Sequence, residues 1–160
     1  MNALDCQIEL KKELEQLFLP FEFQKFRNRE NEPEEKAPMH VFKQAIPTDL
    51  LDDERRIWPY CIPQIVSGDF LSEYEPEDIK INIQIGVFCD DLENVGHELI
   101  INVIETFRQR ILKNRVLADK YMLKLPLKWQ LSEEDSWPCF FGAIETHWAL
   151  LAVLSEEPNL

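Results

Sequence analysis

Glycine is scarce in this sequence. Only Gly68, Gly86, Gly96 and Gly142 occur in 160 residues, and no glycine-rich phosphate loop can be built from residues so far apart. Histidine is scarcer still. His40, His97 and His147 stand alone, and none has a second His or Cys at metal-ligand spacing. Cys6, Cys61, Cys89 and Cys139 include no Cys-x-x-Cys pair. There is no Gly-x-Ser-x-Gly, and the cysteines sit in apolar settings rather than beside a histidine, so the nucleophile motifs fail as well. No apolar run approaches the ~20 residues of a membrane-spanning helix. The chain opens without a basic segment ahead of an apolar one, so no secretory leader is expected. Free thiols in a reducing cytosol are then the expected state of the cysteines. Cations are the minority charge, 17 Lys and Arg against 30 Asp and Glu, with a formal net charge of −13. That sign argues against non-specific nucleic-acid binding and against docking on anionic membranes.

What the sequence does have is apolar area. Ten phenylalanines, four tryptophans and 45% hydrophobic residues suffice for a real core in one domain over residues 1–160. The best-patterned stretch runs from Asp78 to Leu131. Ile79, Ile81, Ile83, Ile85 and Val87 alternate with Lys80, Asn82, Gln84 and Gly86, the period of a half-buried strand. A helix over about Asn94 to Lys113 follows, with Asn94 as its cap. Ile100, Val103, Ile104, Phe107 and Ile111 share one face, and Ile101 and Leu112 widen it. Tyr121, Leu123, Leu125, Leu127, Trp129 and Leu131 then alternate again and predict a second wholly apolar strand face.

Around this centre the pattern is weaker. Leu4 to Phe18 reads as an amphipathic helix ended by Pro20, with an incomplete stripe that suits packing at an edge. Phe21 to Phe26 is a short strand or extended arm with its phenylalanines on one side. Arg27 to Pro38 is too charged to fold alone and is expected to be a mobile acidic loop. Val41 to Ile46 suggests a short strand. Thr48 to Arg56 suggests a helical turn capped by Thr48 or Asp49. Trp58 to Val66 reads as a strand in which Pro63 demands an edge or a bulge. Joined to the isoleucine strand through Glu73, Glu75, Glu77 and Asp78, it makes a wide hairpin with an acidic tip. A last strand, about Ala143 to Val153, pairs across the acidic turn Ser132 to Ser136, and the tail from Ser155 is expected to fray. The fold class is therefore α+β. We expect a mixed, mainly antiparallel sheet of four to five strands with two long hairpins, helices packed on one face, and a core spanning residues 58–153.

Few residues invite chemistry. Glu145 and His147 share a strand face and form either a two-ligand site or a solvated or subunit-facing polar pair. The acidic runs at Glu34-Glu35, Asp52 to Glu54, Asp90-Asp91 and Glu133 to Asp135 lack the alternating ligands and central glycine of an EF-hand. They fall between elements, where charge faces water, so no metal and no cofactor is expected. Arg108, Arg110, Lys113 and Arg115 either offset the helix dipole or present a patch to an acidic partner. Arg108 is the least explained by the dipole, because it sits further in, at the shoulder of the apolar face. Trp137, Phe140 and Phe141 form an aromatic cluster that is either core or an intersubunit contact.

Four stretches carry a resemblance. They are Trp58-Pro59-Tyr60-Cys61-Ile62-Pro63-Gln64-Ile65-Val66-Ser67-Gly68-Asp69, Ile81 to Phe88 with the following acids and Gly96-His97, Asn102 to Leu112, and Leu125-Pro126-Leu127-Lys128-Trp129 with Trp137-Pro138-Cys139-Phe140-Phe141-Gly142. Together they resemble the small tail-terminator or head-tail joining (neck) proteins of long non-contractile-tailed bacteriophages and prophages, over Trp58 to Leu150. The first 57 residues carry no match to that family. Cys139-Phe140 stands where the family has larger aromatics. The resemblance implies a non-enzymatic homo-oligomer, typically a hexameric ring, that caps the tail tube and joins tail to head in the virion after assembly in the host cytoplasm. It implies the major tail protein and the head completion or connector protein as partners, with the tape-measure protein as a further candidate. The interface residues would be Arg108, Trp137, Phe140, Phe141, Glu73 and Glu75. The alternatives are another neck protein, or a cytosolic adaptor that binds one protein through the aromatic hairpin.

Overall fold

The computed structural model describes residues 2–70 and 72–151. Its centre is the isoleucine strand. In chain order the elements are helix α1 (Ala3–Phe18), strands β1 (Phe23–Gln24), β2 (Lys36–Ala37), β3 (His40–Val41), β4 (Tyr60–Asp69) and β5 (Asp78–Phe88), helix α2 (His97–Lys113), and strands β6 (Val116–Leu117), β7 (Tyr121–Leu131) and β8 (Cys139–Leu150). One sheet has the order β3-β4-β5-β8-β7-β6, and β1 and β2 form a separate two-stranded sheet. The main sheet thus has six strands rather than the four or five expected. The short strand expected over Val41 to Ile46 is present only as the two residues of β3, His40–Val41, and β6 is a two-residue strand that no sequence period marks. All pairings are antiparallel except β3 with β4. The two hairpins, β4–β5 and β7–β8, are the long ones predicted.

Both helices lie on one face of the main sheet. Ile79, Ile81, Ile83, Ile85 and Val87 are all buried there beneath Ile100, Val103, Ile104, Phe107 and Ile111 of α2, as the periods predict. Leu112 is not part of that stripe; it is 58% exposed. α2 starts at His97 behind Gly96, which replaces Asn94 as the cap residue. Asn94 instead turns the chain with φ 58°. α1 is not an edge helix. It packs on β4, β3 and β6 through Cys6, Gln7, Leu10, Leu14 and Phe18, while Leu4 and Ile8 face outward. Its true stripe includes a cysteine and a glutamine, which is why reading only Leu4, Ile8 and Leu14 leaves it incomplete. Asn2 caps it, its Oδ1 accepting from the amide of Asp5 at 3.1 Å.

The other face of the sheet is divided. At one end Trp58, Phe88, Leu50 and Ile57 form a second apolar cluster with Tyr60, Phe26 and Phe141. Gly86 belongs here for a steric reason. A Cβ on it would lie 2.4 Å from the Tyr60 ring, which crosses directly over the strand. Two turns of 3-10 helix, Thr48–Leu50 and Glu54–Arg56, cover this end, and neither Thr48 nor Asp49 caps them. Phe26 turns to this side and packs at a tilt against Phe88, 4.9 Å between ring centroids, so it does not share a side with Phe21 and Phe23. Arg27 to Pro38 is anchored at several points. β2 pairs with β1, Arg27 bonds Asp90 at 2.8 Å, and Glu32 pairs with Arg55.

Pro63 pairs with Ile83 of β5 on one side and has no strand beside it on the other among the described residues, because β3 pairs only with Tyr60 and Cys61. A bulge follows between Ile65 and Ser67. β7 keeps its alternation but loses its cover. Tyr121 and Leu123 are buried, whereas Leu125 and Trp129 are 60% and 50% exposed. The pairing slips between Lys124 and Lys128, and β6 reaches only Tyr121 and Met122. β8 ends at Leu150; Val153 and the tail from Ser155 lie outside the described residues.

Candidate interaction surfaces

Three surfaces hold the residues that the sequence marks for function. The first is α2. Arg108 is exposed and folds back on its own helix, with Nε donating to Glu105 at 3.0 Å and Nη2 at 2.5 Å. That bond holds the Glu105 carboxyl below its usual range. Arg110 is spent inside the fold on Glu13 of α1 and on the Asn114 carbonyl at 2.7 Å.

The second is the β7–β8 turn. The structure does not keep Trp137, Phe140 and Phe141 together. Phe140 packs on the helix side and lies over Gly96, where a Cβ would come within 2.2 Å of its ring. Phe141, one residue on, points to the opposite face and meets Trp58 at 5.7 Å between ring centroids. Consecutive strand residues must diverge in this way. Trp137 alone stays at the surface, 39% exposed, its Nε1 donating to the Asp91 carbonyl at 2.9 Å.

The third is the β4–β5 tip. Glu73 and Glu75 are exposed there beside Tyr74 and Phe70, which are 78% and 73% exposed. Aromatic side chains left in water next to carboxylates are the least explained apolar groups of the fold, and sequence reading passed over both.

Glu145 and His147 do meet, within a network on the polar part of the open face. His147 lies between two carboxylates, with Nδ1 3.1 Å from Asp78 and Nε2 3.1 Å from Glu145. Lys80 reaches Glu145 at 3.3 Å, and Lys124 approaches Asp78 at 3.9 Å. The bond from His147, then that from Lys80, holds the Glu145 carboxyl low. Every charge here has an opposite charge beside it, although Asp78 Oδ1 is buried without a hydrogen-bond partner among the described residues, Lys124 stopping 3.9 Å away. Among the described residues no cluster of three or more His, Cys, Asp or Glu is placed to hold a metal ion. Burial pushes the Cys6 and Cys61 thiols up to about 12 and Cys139 up to about 11, so these sulfurs stay protonated and poor as nucleophiles at neutral pH. All four cysteines are unpaired. No described helix is long and apolar enough to cross a membrane.

Sequence reading also missed how the β4 edge is closed. Gln44 adopts φ 69° and lays its amide along the edge. Its Oε1 accepts from the Ile65 amide at 2.8 Å and its Nε2 donates to the Ile65 carbonyl at 3.1 Å. Gln7 of α1 completes the arrangement, donating to the Pro63 carbonyl and to Gln44, each at 2.7 Å. A glutamine inside the buried stripe of α1 was the available signal. A groove of about 330 Å³ between α1, the Phe21–Phe23 arm and α2 is lined by Phe18, Phe21, Phe23, Leu99, Val103 and Thr106.

Compared with known proteins, the chain matches no protein-family model and shows no significant similarity to any curated protein.

Proposed function

We propose that the chain is a structural assembly subunit, a ring-forming protein of the tail-terminator or neck type that caps a bacteriophage tail tube and joins it to the head. One observation carries the reading: among the described residues the two long hairpins leave the far parts of their outer strands without a neighbouring strand, β4 past Ile65, where the Gln44 amide stops, and β7 past Leu123. Two different open edges on one subunit suit a head-to-tail neighbour on each side, and such heterologous contacts make a ring where the rotation between neighbours closes. The order helix, long hairpin, helix, long hairpin, and the residues Trp58 to Gly142 that carry the family resemblance, support it further. Partners on this reading are further copies of the chain, the major tail protein and the head connector.

Deleting the gene from the phage or prophage that encodes it tests the proposal. Overlong tails without heads are the expected result, seen by electron microscopy. Tails of normal length on filled heads would overturn it.

A further inference from the structure

We infer that the ring contact is made by the acidic hairpin tip of one copy docking on the basic β6–β7 edge of a second copy. This rests on the ring reading above and names the surfaces that would make it. The charge in this acidic chain is not spread evenly. From Arg110 to Lys128 the sequence holds Arg110, Lys113, Arg115, Lys120, Lys124 and Lys128 against a single acid, Asp119. From Asp69 to Asp78 it holds Asp69, Glu73, Glu75, Glu77 and Asp78 and no cation. The fold puts these stretches on opposite edges of one sheet, since β4 and β7 are separated by β5 and β8. It also brings them to the same end, as the Lys124–Asp78 approach across the sheet shows. Rotation about an axis along the strands would carry the acidic edge of one copy toward the basic edge of the next, with Arg115 and Lys124 at the level of the tip end and Lys128 further along, level with Gln64.

Part of each charge set is left over. Arg110 is paired with Glu13, Lys120 with Asp5 and Glu9, and Lys124 with Asp78. Among the described residues Lys113, Arg115 and Lys128 have no ion-pair partner, and neither do Asp69, Glu73, Glu75 and Glu77. Each patch also carries exposed apolar groups, Phe70 and Tyr74 among the acids and Leu125 and Trp129 among the cations. Aromatic anchors inside a charged rim are the composition of a specific interface. The contact runs through side chains rather than a continued strand ladder. Pro126, Lys124, Lys128 and the pairing slip blunt the β7 edge, and Gln44 and Gln7 occupy the inner half of the β4 edge.

The test uses the full chain and two double variants, Arg115→Glu/Lys128→Glu and Glu73→Lys/Glu75→Lys, each checked for an unchanged melting temperature. Assembly is followed by sedimentation velocity and native mass spectrometry over a concentration series. Each variant alone should lower the apparent association constant about tenfold or more, because like charges then face each other. Mixing the two variants in equal amounts should restore assembly, since every junction becomes complementary again. Carbodiimide cross-linking of a mixture of ¹⁵N-labelled and unlabelled wild type should join the amine of Lys113, Lys124 or Lys128 to the carboxylate of Glu73 or Glu75 between copies. Wild type that assembles while either variant assembles equally well would overturn the interface and leave the ring standing. Wild type that stays monomeric at every concentration, free and with tail-tube protein, would overturn both.

Discussion

The two faces of the β4–β5–β8–β7 sheet are made from alternating residues of the same strands, yet they are built on different principles. The helix side is dry across β4, β5 and β8: Cys61, Ile83, Ile144 and Trp148 lie beneath α1 and α2 with almost no exposed area. The other side is a series of rungs. Tyr60, Gly86 and Phe141 form an aromatic one, Gln64, Asn82, Glu145 and Lys128 a polar one, and Lys80, His147 and Lys124 a charged one. A side of the first kind stabilises the fold through area removed from water and tolerates little change. A side of the second kind is held by partnered polar groups and by whatever loop covers it. The difference predicts a steep gradient of mutational cost across a distance of one residue.

Ile83→Ala should have the largest effect. Ile83 is 1% exposed, opposite Pro63 on one side and Ile144 on the other. Truncation leaves a cavity that neighbours fixed on two flanking strands cannot fill, and the expected loss is about 2–5 kcal/mol in urea unfolding. A loss below ~1 kcal/mol would mean that the helix side is not the rigid one.

Next comes the anchor that closes the aromatic end of the open side. Asp90, buried just past β5, accepts from Arg27 Nε at 2.8 Å and from Gln24 Nε2 at 2.8 Å, and it holds the arm whose Phe26 covers Phe88. The Arg27 bonds, ahead of the Gln24 bond, hold the Asp90 carboxyl below its ordinary value. Because the folded pKa is depressed, the stabilisation is present above the unfolded carboxylate pKa of ~4 and is lost as pH falls through the folded value. Asp90→Ala should cost about 2 kcal/mol at pH 7, and the deficit should shrink as the pH falls below the ordinary carboxylate range. Melting curves across that range check the sign; a variant whose deficit grows on acidification would refute it.

How much of this was legible in the sequence follows from what covers each strand. β5 has a partner on both sides and helices above, so its period of two is its burial pattern, and reading it sufficed. β7 shows the same period, but past Leu123 no strand among the described residues lies beyond it. Leu125 and Trp129 therefore keep the pattern and lose the burial. Periodicity reports a face and is silent about its cover. The pinning of residues 27–38 was invisible for another reason: Arg27 and Asp90 are polar, 63 residues apart, and carry no period. Of the candidate interface residues, Glu73 and Glu75 stand exposed at the tip as their loop setting implied, while Phe140 and Phe141 are parted by the strand geometry that should have separated them on paper.

The smallest effect should belong to the residue beside Ile83. Asn82 is on the polar rung, and its Oδ1 is buried with no hydrogen-bond partner among the described residues. An unpartnered buried acceptor has already given up its hydration and receives nothing in exchange, so it is a cost to the fold rather than a support. Asn82→Ala removes that oxygen along with a modest contact area, and the two changes oppose each other. The expected shift is within about 0.5 kcal/mol of wild type, of either sign, against several for its neighbour. Urea unfolding of the two variants side by side measures the ratio directly. Equal losses at Asn82 and Ile83 would show that both sides of the sheet are packed alike, and the division between a dry side and a runged one would have to be given up.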